Sequence, residues 1–297
     1  MTAALVAGLR AELDEGGLRG SFLVRDLRTG REIGIDPDRA HPVASLIKVP
    51  LAAVTLERIR RGELDGATPI TVPPGRISTP GPTGITRFRH PAQIAVDDLL
   101  YLALAISDNA AADALFSLTP PETVTAELRA WGLRGITARH RIGDLAQTPA
   151  ERFEPDRVHL AHSLAIEAGT AGGGHPVPQL DVTRANSGSA RDFADLLQAL
   201  WTPSRIPGEV AARVRELMGA NLVRQRLAPD FTSDAATWSS KTGTLLNLRH
   251  EAGVVEHADG RALAVAALTE SRIPAVHQPE AELLMARVAR ALHDHLS

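Results

Sequence analysis

Residues 237–269 read TWSSKTGTLLNLRHEAGVVEHADGRALAVAALT, and here the period of the sequence changes from helical to extended. We predict three strands in this stretch, at Thr237–Lys241, Arg249–Glu256 and Arg261–Thr269. Asp259-Gly260 is a turn dipeptide between the last two strands. Residues 280–296 then form an amphipathic helix, so the chain ends in strands that are followed by a helix.

The amino-terminal end has a related pattern, a helix over residues 3–14 followed by strands at Ser21–Asp26 and Glu32–Ile35. Most of the middle is helical, with helices predicted at 45–61, 96–106, 110–118, 122–131, 189–201 and 208–220. The stretches 66–92 and 137–182 contain many prolines and glycines, and we predict irregular structure there. If the terminal strands share one sheet, the helical middle is an insertion that forms a second lobe. A cleft between the two lobes is then the expected site.

Composition limits the class of protein. Of the 297 residues, 44% are hydrophobic and 23% are charged, which is typical of a soluble globular protein and excludes a disordered chain. No apolar run reaches the roughly 18 residues that a membrane span requires. The net charge of −3, from 32 basic and 35 acidic residues, argues against a nucleic-acid partner. Because cysteine is absent, disulfides, thiolate metal sites and cysteine nucleophiles are excluded.

Residues 1–13 do not have the pattern of an export signal. There is no basic segment at the start, the apolar stretch Ala3–Leu9 is short, and Arg10 and Glu12 follow at once. We therefore expect a cytoplasmic protein, or a secreted or periplasmic one if an export signal has been trimmed.

The chain has only two lysines, Lys48 and Lys241, against thirty arginines. Positions that keep lysine in such an arginine-rich chain can mark a site that needs a deprotonatable amine or a compact ammonium group. The alternative is that the two lysines survive by chance.

Three short motifs lie around these lysines and between them. They are Ser45-Leu46-Ile47-Lys48 at the start of a predicted helix, Ser107-Asp108-Asn109 at the break between two helices, and Lys241-Thr242-Gly243-Thr244 at the end of a strand. Ser45 and Lys48 are three residues apart and share a helix face. A serine near a helix N-terminus suits a nucleophile whose reaction develops an oxyanion, and a neutral Lys48 could take its proton. Lys241 is the neighbouring cation that could lower the pKa of Lys48.

The order and spacing of the motifs resemble the serine β-lactamase and penicillin-binding protein superfamily, most of all class A β-lactamases. The resemblance covers nearly the whole chain. It implies an α/β, β-lactamase-like fold with an antiparallel sheet flanked by N- and C-terminal helices, plus an all-helical lobe. It also implies one catalytic unit over residues 1–297, with a sheet lobe formed by 1–44 and 222–297 and a helical lobe formed by 45–221.

The resemblance also implies roles for the residues of the motifs. Ser45 would be the acylated nucleophile, Lys48 its base or proton relay, and Ser107 the group that passes the proton to the leaving nitrogen. Asn109 would bind the acyl side chain of the substrate, and Asp108 would support the turn. Lys241 and Thr242 of the third motif would hold the substrate carboxylate, and Gly243 is part of the same substrate-binding motif. The N–H groups of Ser45 and Thr244 would form the oxyanion hole.

The sequence departs from the class A pattern at the residues that hydrolyse the acyl-enzyme. The family carries a glutamate on a loop after the second motif and an asparagine four residues later. The run Arg152-Phe153-Glu154-Pro155 resembles that loop, but the position four after Glu154 is Val158. Glu154 is therefore a candidate deacylating base, against the alternative of a solvated loop carboxylate.

Other side chains are weaker candidates. Arg249 and His250 follow the third motif and could help to hold a carboxylate, although either could be an ordinary polar residue of a strand. His159 and His162 could be a metal pair, but surface or capping histidines are far commoner. No metal or organic cofactor is implied.

Three functions remain open at the level of the sequence. The first is a β-lactamase-like serine hydrolase with slow deacylation, which acts on a small-molecule β-lactam or a related amide or ester. The second is an intracellular esterase, peptidase or biosynthetic hydrolase of the same fold. The third is a binder or sensor that is acylated and stays acylated. We expect neither a nucleic-acid nor a membrane partner, and the sequence does not define the oligomeric state.

Overall fold

The computed structural model describes residues 2–75, 81–145, 157–168 and 174–296. The strands in these ranges are β1 (Leu18–Asp26), β2 (Glu32–Ile35), β3 (His41–Pro42), β4 (Pro69–Val72), β5 (Ala92–Ala95), β6 (Ser187–Gly188), β7 (Ala236–Leu245), β8 (Leu248–His257) and β9 (Ala262–Ser271). The helices are α1 (Thr2–Glu15), α2 (Lys48–Arg60), α3 (Val96–Ala105), α4 (Asn109–Leu118), α5 (Pro121–Ala130), α6 (Val158–Ala168), α7 (Ala190–Trp201), α8 (Gly208–Gly219), α9 (Ala228–Phe231) and α10 (Pro279–Leu296).

The strands from the two ends of the chain form one antiparallel sheet in the order β2-β1-β9-β8-β7. The link between the two ends is the pairing of β1 with β9, in which Phe22 lies opposite Ala267. The predicted antiparallel sheet with terminal helices is thus confirmed. Strand β7, which carries the third motif, lies at one edge of this sheet.

Strand β9 shows why its sequence is apolar at almost every position. One face of the strand packs on α1 and α10 through Leu263, Val265 and Ala267. The other face packs toward the helical middle of the chain through Ala264, Ala266 and Leu268. Because both faces are buried, the strand is a continuous apolar run rather than an alternating one.

Helix α2 lies at the centre of the helical region, since every residue from Lys48 to Glu57 is buried. Two of the surrounding helices begin at capping residues that the sequence supplies. Asp108 caps α4, and Ser189 caps α7 in a reciprocal capping box with Asp192.

Two parts of the structure differ from the predicted irregular stretches. The 66–92 stretch contributes β4, which pairs with β5 in a separate two-stranded sheet. The 137–182 stretch contains α6. Both expectations of irregular structure were wrong there. In the first stretch, a strand of four residues is too short to show a period against so many prolines and glycines. In the parts of the chain that the structure describes, no helix is both long enough and apolar enough to cross a bilayer.

Candidate active site

Ser45 lies in a short 3-10 turn, Ala44–Ile47, that leads directly into α2 at Lys48. Ser45 is half-buried, and Lys48 on the next turn is completely buried. Ala44 has a φ of 47°, in the left-handed region that residues with a Cβ rarely adopt. The chain therefore bends sharply just before Ser45, which starts a helical segment as the sequence predicted.

The Lys48 ammonium group is bound by the break between α3 and α4. It donates to the main-chain O of Ser107 at 2.6 Å and to Oδ1 of Asn109 at 2.7 Å, and Oγ of Ser107 lies at 3.3 Å. Burial lowers the pKa of Lys48 to about 7, although Asp108 and Asp113 act in the opposite direction. A large fraction of Lys48 is therefore a neutral amine near pH 7, which is the form that can accept a proton.

Lys241 reaches the same hydroxyl from the sheet. Its Nζ donates to Ser107 Oγ at 2.9 Å and to the main-chain O of Thr242 at 2.9 Å. Burial lowers the pKa of Lys241 well below its ordinary value, and the positive charges of Lys48 and Arg226 lower it further. An anionic group of a bound substrate would favour the charged form of Lys241, which is the condition for holding a carboxylate.

The second motif is a structured break rather than a loose loop. Ser107 has a φ of 58°, so the chain turns sharply between the two helices. Asp108 is completely buried and accepts from the N–H groups of Ala110 at 2.9 Å and Ala111 at 3.2 Å. Its other oxygen accepts from the N–H of Ile85 at 2.5 Å. Asp108 therefore fixes the turn between the two residues that touch Lys48, as expected of a structural residue.

Asn109 faces two parts of the site. Its Oδ1 accepts from Lys48, and a Cβ added to Gly81 would lie 2.9 Å from its Nδ2. The chain at Gly81 therefore passes close to the amide of Asn109, the residue to which the resemblance assigns the acyl side chain of the substrate.

The third motif brings β7 against the turn that carries Ser45. A Cβ added to Gly243 would lie 2.8 Å from the main-chain O of Val43 and 3.3 Å from Leu46, so only glycine allows this approach. Thr242 Oγ1 donates to the main-chain O of Val223 at 2.8 Å. Because β7 is an edge strand, its outer side has no neighbouring strand in the described sheet. The structure thus brings Lys48, Ser107 and Asn109 into contact and sets the turn that carries Ser45 against the third motif.

The sequence pattern of the β-lactamase enzyme family matches residues 4–296. The chain belongs to this family. The β-lactamase regulatory protein BlaB of Streptomyces cacaoi is 65% identical over 304 residues, which cover 99% of this chain and 97% of that protein.

Solved structures show the same fold. The chain is similar to a β-lactamase from Sphaerobacter thermophilus, with a TM-score of 0.76 at 21% identity over 99% of this chain and 96% of the other. It is also similar to PBP-A in an acyl-enzyme complex with penicillin G, with a TM-score of 0.75 at 18% identity over 99% and 96% of the two chains. The fold is therefore the α/β fold of β-lactamases, built on the five-stranded sheet.

Arg226 is a residue of this β-lactamase-family site that no sequence motif identified. It is 3% exposed, and it donates to the main-chain O of Gly243 at 3.2 Å and to Thr244 Oγ1 at 2.7 Å. Its Nε pairs with Glu282 at 3.1 Å. Arg226 therefore orients the last two residues of the third motif. Among thirty arginines, nothing in the sequence distinguishes it.

Glu251 is a second residue that the motifs did not identify. It is completely buried on β8, opposite Thr242, and accepts from Trp238 Nε1 at 2.8 Å, Ser240 Oγ at 2.7 Å and the N–H of Leu227 at 2.9 Å. Burial raises the pKa of Glu251, and the three donors act against that shift. A carboxylate inside a predicted strand was the available signal for a buried polar network.

Arg249 and His250, the two weaker candidates for holding a carboxylate, are both buried. Arg249 is 2% exposed and donates to the main-chain oxygens of Leu246, Leu248, Ala275 and Val276. His250 is completely buried, with Nε2 2.9 Å from the main-chain O of Pro42. Both side chains are committed to the main chain of this protein. Their placement argues against the substrate contacts that the sequence suggested.

The deacylation candidates are only partly within the structure. Glu154 lies outside the described residues, and Val158 is the first residue of α6. His162, in the suggested metal pair, is buried, whereas His159 is exposed. Across the described ranges, no three His, Asp or Glu side chains are grouped so that they could hold a metal ion.

Proposed function

We propose that this chain is a serine hydrolase in which Ser45 is acylated by β-lactams or by related amides or esters. The observation that carries the proposal is the position of the Ser107 hydroxyl, 3.3 Å from Lys48 Nζ and 2.9 Å from Lys241 Nζ. A hydroxyl between two buried amines, one with a pKa of about 7, can relay a proton.

In the proposed reaction, neutral Lys48 takes the proton of Ser45 as Oγ attacks the substrate carbonyl carbon. The carbon–nitrogen bond of the lactam or amide then breaks, and the nitrogen receives a proton through Ser107. Charged Lys241 attracts the substrate carboxylate and, together with Lys48, polarises the Ser107 hydroxyl. The product of this half-reaction is an ester between Ser45 and the acyl group.

We propose that hydrolysis of this ester is slow. Hydrolysis needs a base and a firmly held water molecule. Glu154 is the candidate base, and the position four residues later carries valine, which has no amide to bind water. Each increase of about 1.4 kcal/mol in the barrier slows the reaction about tenfold.

A regulatory role is the second candidate, and one observation favours it. The relative that is 65% identical along almost its whole length is named a β-lactamase regulatory protein. A chain that reports the presence of a β-lactam would need the first half-reaction and a long-lived acyl group. Both candidates therefore require acylation of Ser45, and they differ in the lifetime of the ester.

Intact mass spectrometry after mixing with penicillin G tests the proposal. We expect one added penicillin mass per chain, none in Ser45→Ala, and normal labelling in Ser117→Ala, which alters an exposed serine on α4. A half-life of the adduct of hours favours the regulatory candidate, and recovery within seconds to minutes favours the hydrolase. A folded wild-type chain that is never labelled by penicillin G, a cephalosporin or an activated ester would refute both.

A further inference from the structure

The residues just before the nucleophile turn are bound by a buried histidine of the sheet. His250 Nε2 lies 2.9 Å from the main-chain O of Pro42, and His250 Nδ1 accepts from the N–H of Thr269 at 3.1 Å. Since Nδ1 is an acceptor, the ring proton is on Nε2, and His250 donates to Pro42. The imidazole thus joins β8 and β9 to the segment that precedes Ser45.

His41, one residue earlier, is bound in a similar way from two other strands. Its Nε2 lies 2.9 Å from Ser21 Oγ on β1, and its Nδ1 lies 3.2 Å from Glu270 Oε1 on β9. The two histidine rings meet edge to face, with their centres 6.2 Å apart. His41 and Pro42 are therefore attached to the sheet by three side-chain contacts, two at His41 and one at Pro42.

The Ser21, His41 and Glu270 side chains are in the order of a nucleophile, a base and an acid, but they do not form a second active site. Ser21 and His41 have no exposed surface, and Glu270 is only 6% exposed. A substrate cannot reach a hydroxyl that is completely enclosed. The arrangement is better explained as a means of fixing the main chain at His41.

Val43 is fixed by the main chain on two sides. Its N–H donates to the main-chain O of Asn186 at 2.9 Å. Its own O lies against Gly243, where an added Cβ would come within 2.8 Å. His41 and Pro42 also pair with β6, so residues 41–43 contact β1, β6, β7, β8 and β9.

Ala44 is the reason for such strong attachment. Its φ of 47° is unfavourable for a residue with a Cβ. Strained backbone of this kind persists only when its surroundings over-determine it. Without that constraint Ala44 would relax to a negative φ, and Ser45 would turn away from the direction that it now has.

We propose that His250 is a positioning residue for Ser45, which acts through Pro42 to keep Ala44 in the left-handed conformation that aims the nucleophile. The inference rests on the proposed function, in which Ser45 is the acylated residue. It gives His250 a part in the reaction although its side chain touches no substrate.

Two conservative variants separate this role from a general effect on stability. In glutamine the amide nitrogen lies close to the position of imidazole Nε2, so His250→Gln keeps a donor for Pro42. In asparagine the shorter side chain places its amide oxygen close to Nδ1, so His250→Asn keeps the acceptor for Thr269 and loses the donor for Pro42. The rate of acylation by a chromogenic cephalosporin is measured for both by stopped-flow.

We expect His250→Gln to acylate within about threefold of the wild-type rate. His250→Asn should acylate roughly ten- to a hundredfold more slowly, because a misplaced nucleophile can reduce a rate by up to about 10²-fold. The pH profile is the second readout. Burial, followed by the charge of His41, lowers the pKa of His250 to about 3. Glu270 and Arg226 are the other charged groups near the ring. His250 therefore stays neutral above pH 5, and His250→Asn should lower the rate without changing the shape of the profile.

The Ala44→Gly background distinguishes the positioning role of His250 from a general role in stability. Glycine adopts a positive φ without strain, so the constraint is no longer needed. In an Ala44→Gly background, His250→Asn should slow acylation by less than about threefold. If His250→Asn alone does not fold, the comparison of Ala44→Gly/His250→Asn with Ala44→Gly/His250→Gln replaces it.

The possible failures are distinguishable. A wild-type chain that no acyl donor labels overturns the proposed function and this inference with it. Normal labelling of the wild type, with equal rates for the two His250 variants, overturns this inference alone. So does an undiminished effect of His250→Asn in the Ala44→Gly background. A profile that changes shape in His250→Asn would instead make His250 an acid or base.

Discussion

Lys241 Nζ and Ser107 Oγ lie 2.9 Å apart, although 134 positions of sequence separate the two residues. Lys241 comes from the edge strand β7, and Ser107 comes from the break between α3 and α4. This hydrogen bond therefore links the sheet to the helices. Any movement of β7 away from the helices would break it, so the proton relay that we propose depends on how the two parts of the chain pack.

Replacement of Lys48 should show whether the site needs a base or only a charge. Lys48→Arg keeps the charge but cannot lose a proton near pH 7, and Lys48→Met has neither. We expect both variants to acylate about 10²–10⁴-fold more slowly, as is typical when a general base is lost. Stopped-flow with a chromogenic cephalosporin measures the rate. Retention of more than about a tenth of the wild-type rate in Lys48→Arg would remove Lys48 from the role of base.

The acylation rate should depend on pH with an acidic limb near pH 7. Lys48, with a pKa of about 7, must be neutral to accept a proton, so the rate falls as the pH drops below that value. Because its pKa is lowered, Lys241 loses its proton at a lower pH than an ordinary lysine. Once it is neutral, acyl donors that carry a carboxylate should bind less well. A neutral ester substrate is the control, because its binding should not depend on the charge of Lys241. An acidic limb at pH 4–5 would instead indicate a carboxylate base.

Lys48 should reduce the stability of the folded chain, and the effect should depend on pH. Its pKa is lowered from 10.5 to about 7 on folding, so the unfolded chain binds more protons between these values. The destabilisation is fully present below pH 7 and disappears as the pH rises above 10.5. Lys48→Met should therefore raise the free energy of unfolding by about 1–3 kcal/mol at pH 7, after the loss of its hydrogen bonds is subtracted.

Chemical denaturation at pH 7 and pH 10 checks that prediction. The increase in the free energy of unfolding that Lys48→Met causes should be smaller at pH 10 than at pH 7. Leu51→Met, a buried change on the same helix, is the control and should show no such pH dependence. An equal gain at both pH values would show that packing, rather than a buried charge, is responsible.

Asp108 should be important for stability and, through the turn, for the rate. Asp108→Ala removes the acceptor of three N–H groups, at Ala110, Ala111 and Ile85, and should destabilise the chain by about 1–3 kcal/mol. Asp108→Asn keeps one acceptor for the helix cap and should lose less stability than Asp108→Ala. Thermal unfolding gives the stabilities, and acylation rates should fall in the same order. An unchanged acylation rate in a destabilised Asp108→Ala chain would show that the helix cap does not control the position of Ser107.

A burst should precede slow turnover of a chromogenic cephalosporin. We expect about one equivalent of product in the burst, because the groups proposed for acylation are all present whereas deacylation is expected to be slow. Glu154→Gln should abolish any remaining turnover while leaving the burst intact. Rapid turnover with no burst and no acyl-enzyme visible by mass would contradict slow hydrolysis and indicate a competent base.

The sequence predicted the groups of the cleft because their chemistry is local. Ser45 and Lys48 share one turn, and the second and third motifs each lie within four consecutive residues. Strands β8 and β9 were also predictable, since β9 is a long apolar run and a turn dipeptide separates it from β8. Short elements such as β4 were not, because their partner, β5, lies about twenty residues away in a region of prolines.

The buried polar contacts around the cleft could not be predicted. Arg226, Glu251 and His41 act through partners that are distant in the sequence, so no spacing reveals them. His250 was chosen for its nearness to the third motif, but both faces of β8 are buried at Arg249, His250 and Glu251. That β8 is covered on both sides is a property of the whole fold.

The pairing of β1 with β9 has a consequence for synthesis. β1 is complete at Asp26, and its partner residues end at Ser271, so about 245 residues must be added before the sheet can close. At about 5–20 residues per second, this delay lasts roughly 12–50 s. His250 and Thr269, which fix the chain before Ser45, emerge in the same late portion. A nascent chain therefore carries Ser45 for that time without the strands to which its turn is attached. If Ser45 is the nucleophile, reactivity toward an acyl donor should appear only after residues 250–271 have been synthesised.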